Sequence, residues 1–182
     1  EGIILKFVGI SGTLAGIKTS QMVFEVLNAA KTINPAIETE LIDIKDYDIE
    51  FMKGFPLSYY NDDTQNVVNK ILTADCIVIG TPVYQASISG SLKNLLDLLP
   101  ERAFKSKIVG YISTAGSDKH FLVADINLRP ILQFLGATIP SKNVFVNNKC
   151  FDDESVIVDN DILRRIKNFA KEIIETQEKL NS

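Results

Sequence analysis

Five times along this chain of 182 residues, a short strand-like run gives way to a segment with helical spacing, and after the first, third and fourth runs the connecting loop is rich in Gly, Ser or Thr. Ile3–Ile10 is a nearly unbroken apolar run ending in Gly9-Ile10-Ser11-Gly12, and Cys76–Ile79 is another ending in Gly80-Thr81-Pro82. Continuous apolar strands of this kind are buried on both faces, as in parallel sheets. Ile37–Ile44 alternates with polar residues and suits a position nearer an edge, Ile108–Ser113 forms a fourth strand, and Asn143–Val146 a short fifth.

Between the strands the period changes. Met22, Val23, Val26, Leu27 and Ala30 recur at helical spacing, predicting a helix over Thr19–Lys31 with hydroxyl residues at its start. A second helix carries Val67, Val68, Ile71 and Leu72 behind the capping candidates Asn61, Asp62 and Asp63, after an irregular loop over Lys45–Tyr60. Leu92, Leu95, Leu96 and Leu99 form a third, stopped by Pro100, whose leucine face suits either core or a subunit contact. A fourth runs from about His120 to Leu135 and closes at Gly136; a last one carries Ile162, Leu163, Ile166, Phe169, Ala170, Ile173 and Ile174. Strands and helices in strict alternation predict an α/β domain, a parallel sheet covered on both faces, spanning 1–182 as one unit. Ligands in such folds lie beyond the carboxyl ends of the strands where strand order reverses, which directs attention to the loops after strands one, three and four.

Composition removes several classes. The net charge of −4 comes without a basic block, so a nucleic-acid surface is not expected. Cys76 and Cys150 stand alone, with no Cys-x-x-Cys, which disfavours a disulfide scaffold or a zinc site. No apolar run is long enough to cross a bilayer and no leader pattern opens the chain, so no membrane association and a cytoplasmic setting are the expectation.

The first loop, Gly9 to Ser20, joins hydroxyls, glycines, one cation and a helix start. It reads either as a phosphate cradle or as an ordinary loop with Ser/Thr caps. It has neither the Gly-Lys-Ser/Thr of a Walker loop nor Gly-x-Gly-x-x-Gly. The third loop presents Tyr84 just beyond a Pro-fixed turn, where backbone groups and an aromatic can hold a flat heteroaromatic ring. The only histidine, His120, lacks partners at ligand spacing, and the acidic stretches Asp43–Glu50 and Asp152–Glu154 do not match a calcium loop; no metal site is expected. A phosphoacceptor receiver domain needs acidic residues where this chain has Gly12 and Gly80.

The run from Thr81 to Ala103, Thr-Pro-Val-Tyr-Gln-Ala-Ser-Ile-Ser-Gly-Ser-Leu-Lys-Asn-Leu-Leu-Asp-Leu-Leu-Pro-Glu-Arg-Ala, resembles the signature of the NADPH-dependent FMN reductase family. It is especially similar to the reductases of two-component alkanesulfonate monooxygenase systems. The resemblance implies a flavodoxin-like three-layer sandwich with strand order 2-1-3-4-5, FMN and NADPH or NADH as cofactors, and a homodimer or homotetramer. It also implies that reduced flavin is supplied to a flavin-dependent monooxygenase. An FMN-bound quinone or azo-dye reductase is the main alternative, and a flavodoxin-type electron carrier a lesser one, since such carriers tend to be more acidic. By position, Ser11, Lys18, Thr19 and Ser20 match the family's phosphate loop. Pro82, Val83 and Tyr84 match its segment beside the isoalloxazine, and Thr114, Ala115, Gly116 and Ser117 match its second ring-contacting loop, usually Thr-Gly-Gly, from which Ala115 departs. Ile126 stands where the two-component subfamily carries an extra, often aromatic, residue in a π-bulge. Hydride transfer between two stacked cofactors asks the protein for position and electrostatics rather than an acid or base. No catalytic side chain is therefore assigned, and backbone N–H groups around Thr114–Ser117 are the expected stabilisers of charge on the reduced ring.

Overall fold

A computed structural model describes residues 4–182, so Ile3, the first residue of the predicted opening strand, lies outside the described residues. Five parallel strands form one sheet in the order β2-β1-β3-β4-β5. They are β1 (Lys6–Ser11), β2 (Glu38–Asp43), β3 (Cys76–Pro82), β4 (Ile108–Ala115) and β5 (Val144–Asn147). Among the described residues six α-helices connect and flank them: α1 (Lys18–Ile33), α2 (Asp62–Leu72), α3 (Gly90–Asp97), α4 (Val123–Asn127), α5 (Arg129–Phe134) and α6 (Asn160–Asn181).

The central strands are apolar throughout because both of their faces are covered. On one face α1 and α6 bury Met22, Val23, Val26, Ile166, Phe169 and Ile173 against Phe7, Cys76 and Val78. On the other, α2, α3 and the α4–α5 pair bury Val67, Leu92, Leu95 and Leu132 against Val8, Ile77 and Val109. The leucine face of α3 is thereby settled as core: Leu92 and Leu95 are fully buried. Cys76 is fully buried too, and burial pushes its thiol far up from the ordinary range.

Helix α1 sits unusually close to the sheet. A Cβ at Gly9 or at Gly80 would come within 2.4 Å of Val23 side-chain carbons, so two neighbouring glycines, on β1 and β3, make the groove that receives Val23. This approach brings the N-terminus of α1 over the carboxyl ends of β1 and β3, which is where the strand order reverses.

Four features differ from the sequence expectation. The predicted fourth helix is divided at Leu128, because Pro130 in the first turn of α5 has no N–H to continue the ladder to Ile126. His120 belongs to a separate 3-10 turn, Asp118–His120. Strands β3 and β4 run further than expected, placing Pro82, Thr114 and Ala115 within paired strand, Pro82 in register with Thr114. Finally, α1 begins behind Ile17 and no side chain caps it; Ser20 donates instead to the Ile17 carbonyl at 2.9 Å. Asn61, by contrast, caps α2 as expected, accepting from the Thr64 N–H at 2.9 Å.

Candidate functional site

At the carboxyl end of the sheet a cavity of about 400 Å³ is lined by Ala15, Gly16, Ile17, Lys18, Thr19, Pro82, Val83, Tyr84, Thr114, Ala115, Gly116, Asn148 and Ser155. Three loops named in the sequence converge on it, those after β1, β3 and β4.

The first wall is the turn into α1. With no cap and no acidic residue in the first turn, the helix presents its leading backbone N–H groups and positive dipole end without a competing anion. The Lys18 ammonium lies 5.3 Å from the centre of the Phe151 ring, a cation–π contact at the cavity edge. Beneath this turn, at the end of β1, Ser11 is fully buried, and among the described residues its Oγ is the only buried side-chain polar atom without a hydrogen-bond partner. A buried hydroxyl is costly when unpaired, and this one, near an uncapped helix end, is a group that could donate to an acceptor such as a phosphate. Gly12 keeps the loop tight: its N–H donates to the Gly80 carbonyl at 2.8 Å, and its carbonyl accepts from the buried Ser89 hydroxyl.

The second wall is Pro82-Val83-Tyr84. The Val83 N–H donates to the Thr114 carbonyl at 3.0 Å, tying this wall to the third loop. The Tyr84 hydroxyl meets Thr13 Oγ1 at 3.1 Å, and Thr13 also accepts from the Ala15 N–H at 3.2 Å, so the aromatic is fixed to the first loop. Tyr84 remains 47% exposed, standing at the mouth rather than in the core.

The third wall is Thr114-Ala115-Gly116. Thr114 Oγ1 donates to the Val146 carbonyl at 2.7 Å and lies 3.0 Å from Asn148 Oδ1. Ala115 has no positive φ, so the departure from glycine at this position introduces no backbone strain. Ser117 does not line the cavity; its hydroxyl accepts from the Lys119 N–H at the start of the 3-10 turn. Asp118 beside it is held below the usual carboxylate range by the Asn147 amide and then by Lys149.

Of the eleven residues selected from sequence, Lys18, Thr19, Pro82, Val83, Tyr84, Thr114, Ala115 and Gly116 line one cavity. Ser11 lies beneath the loop, whereas Ser20 and Ser117 do not line the cavity. Asn148 and Ser155 were missed. Asn148 follows β5, whose carboxyl end belongs to the same rim by the rule that selected the other loops. Ser155 sits in a turn with a left-handed φ of 65° and carries no pattern in the sequence. Among the described residues, no group of acidic, His and Cys side chains is placed to hold a metal.

Comparison with known proteins places the chain in a family. Residues 5–152 match the family model described as NADPH-dependent FMN reductase. The chain is 40% identical over 178 residues to an NAD(P)H-dependent FAD/FMN reductase of Geobacillus thermodenitrificans, covering 98% of this chain and 96% of that one. It is 37% identical over 112 residues to an FMN reductase (NADPH) of Pseudomonas putida, covering 62% of this chain and 56% of the relative. At the level of fold, the structure of an NADH:FMN oxidoreductase in its apo form superposes with a TM-score of 0.78 at 24% identity, over 94% of this chain and 89% of the other. A flavodoxin from Streptococcus pneumoniae superposes at 0.63 with 14% identity, over 96% and 99% of the two chains. With a family model covering most of its length and a relative aligned nearly end to end, this chain belongs to the NADPH-dependent FMN reductase family.

Proposed function

We propose that the chain, acting as one domain, binds FMN in the cavity at the carboxyl end of the sheet and reduces it with NADPH or NADH. The observation that carries this reading is the unpartnered, buried Ser11 hydroxyl below the uncapped start of α1. Ser11, Lys18, Thr19 and the leading amides of α1 hold the phosphate; Ser20 strengthens that turn from behind through its bond to Ile17. Pro82, Val83 and Tyr84 on one side and Thr114, Ala115 and Gly116 on the other hold the ring, with Ser117 closing the last loop.

When bound, FMN supplies the redox chemistry, as acceptor of a hydride from the reduced nicotinamide. The protein's share is placement. Tyr84, fixed through Thr13, keeps the ring wall in one position. The backbone at Gly116 leaves room for close approach, because a Cβ there would meet nothing nearer than 3.7 Å. The test is the loss of reduced-nicotinamide absorbance by the purified protein with and without added FMN. FMN-dependent oxidation is the expected result, and no oxidation with either nucleotide would overturn the proposal.

Lys18→Ala is expected to weaken FMN about fivefold, in keeping with one partly exposed charge contact of ~1 kcal/mol. Riboflavin, which has no phosphate, is expected to bind the variant as it binds the wild type; a flavin-fluorescence titration measures both.

Self-association as a homodimer or homotetramer is supported by the exposed apolar side chains Phe121, Leu122, Ile126 and Phe134 on and beside α4 and α5. Light scattering at micromolar protein is expected to show an oligomer. The open mouth at Tyr84 supports exchange of flavin and hence a role in supplying reduced FMN to a flavin-dependent monooxygenase. Among the described residues no helix is long and apolar enough to cross a membrane, and two free cysteines with a nicotinamide-linked activity fit a cytoplasmic setting.

A further inference from the structure

The segment that presents Tyr84 is built in an unfavourable way. Gln85 and Ala86 have φ values of 49° and 58°, the left-handed region that residues bearing a Cβ rarely adopt. They are the central pair of a tight turn closed by two bonds, Tyr84 N–H to the Ser87 carbonyl and Ser87 N–H to the Tyr84 carbonyl, each 3.0 Å. Turns of this shape favour Asn-Gly or Gly-Gly; Gln-Ala is a poor choice, so the surroundings have to hold the turn in place.

The support comes from outside the cavity. Asn127, the last residue of α4, reaches the tip of the turn: its Nδ2 donates to the Ala86 carbonyl at 3.4 Å and its Oδ1 accepts from the Ser87 hydroxyl at 3.3 Å. The same Nδ2 donates to the Val123 carbonyl at 3.0 Å, so two carbonyl acceptors fix which end of the amide is nitrogen. Helix α4 is itself anchored to the sheet, because the buried Tyr111 hydroxyl donates to Asp125. Tyr84 is therefore held at both ends, its hydroxyl by Thr13 and its backbone by a strained turn that Asn127 clamps.

We propose that Asn127 is a positioning residue for flavin binding and reduction: it touches neither cofactor but sets where Tyr84 stands against the cavity. This role rests on the cavity being the flavin site. Removing the amide frees the turn to relax toward right-handed backbone, and Tyr84 moves with it.

Asn127→Ala is expected to weaken FMN about tenfold, lower kcat/KM by a similar factor, and alter the visible circular dichroism of bound flavin. Adding Gln85→Asn and Ala86→Gly, which suit the turn without a clamp, is expected to restore FMN affinity to within about twofold. A general loss of packing at position 127 would not be repaired by changes in the turn. Should Asn127→Ala fail to fold, Ser87→Ala removes the other partner of the clamp and is expected to weaken FMN about threefold. Wild type that binds FMN while these variants bind it equally well would overturn the clamp alone. Wild type that binds no FMN would overturn the flavin reading and the clamp together. Failure of the turn substitutions to restore affinity would also contradict the positioning role.

Discussion

Gly80→Val is expected to lower stability by about 3 kcal/mol, at the upper end of overpacking effects in a well-packed interior. For a chain of this size that corresponds to a fall in Tm of roughly 6–12 °C. The reason is geometric: the first atom of any side chain at position 80 would lie 2.4 Å from Val23 Cγ2 and 3.2 Å from Thr19 Cγ2, with the Thr19 carbonyl at 3.4 Å. Relief requires α1 to lift from β3, and its first turn forms one wall of the cavity, so FMN binding is expected to fall with stability. Gly80→Ala combined with Val23→Ala returns the missing space and is expected to recover much of the loss. Gly90→Ala is the control, since a Cβ there meets nothing within 4 Å and stability should not fall. Thermal melts of the four proteins check this; a Gly80→Val variant as stable as wild type would mean that α1 does not seat where it is described.

Ser11→Ala separates binding from folding by moving them in opposite directions. In the absence of flavin, the fully buried Oγ has no partner, so deleting it removes an unsatisfied group and is expected to leave stability unchanged or raise it by about 1 kcal/mol. In the proposed FMN complex the same hydroxyl donates to the phosphate, and a hydrogen bond to a charged acceptor is worth ~1.5–3 kcal/mol, so FMN affinity should fall about tenfold or more. Denaturant melts without flavin and titrations with it give the two signs separately. A variant that is less stable and binds FMN normally would contradict the assignment, because Ser11 would then be an ordinary structural hydroxyl.

The parts of this protein that the sequence reveals are those where one physical demand acts alone. Burial on both faces leaves unbroken apolar runs at Cys76–Ile79 and Ile108–Ser113, and helical period leaves its mark at Met22–Ala30; these locate the sheet and most helices. The loops after β1, β3 and β4 follow from topology, and eight of the eleven residues selected from them meet in one cavity. Features that depend on several segments at once were not legible. The hydroxyls at the start of α1 read as caps in the sequence, yet the helix end is uncapped: Ser20 lies inside the first turn and bonds backward to Ile17. The division of the predicted fourth helix at Leu128 has a sequence signal in Pro130, but the apolar spacing on both sides of it reads as continuous. Asn127 looks like any polar residue on a helix; its contact with Ala86 spans 41 positions and depends on a turn that Gln-Ala does not advertise. Phe151, 133 positions from Lys18, is hidden for the same reason.

The central claim is that the cavity recognises a flavin through its phosphate, at the junction of Ser11, Lys18 and the start of α1. Equilibrium titration of the wild-type protein with FMN and with riboflavin tests it most directly. Donors to an anion at an uncapped helix end, together with one cation, sum to ~3 kcal/mol, which predicts that FMN binds about a hundredfold tighter than riboflavin. Equal affinities for the two flavins would contradict the account.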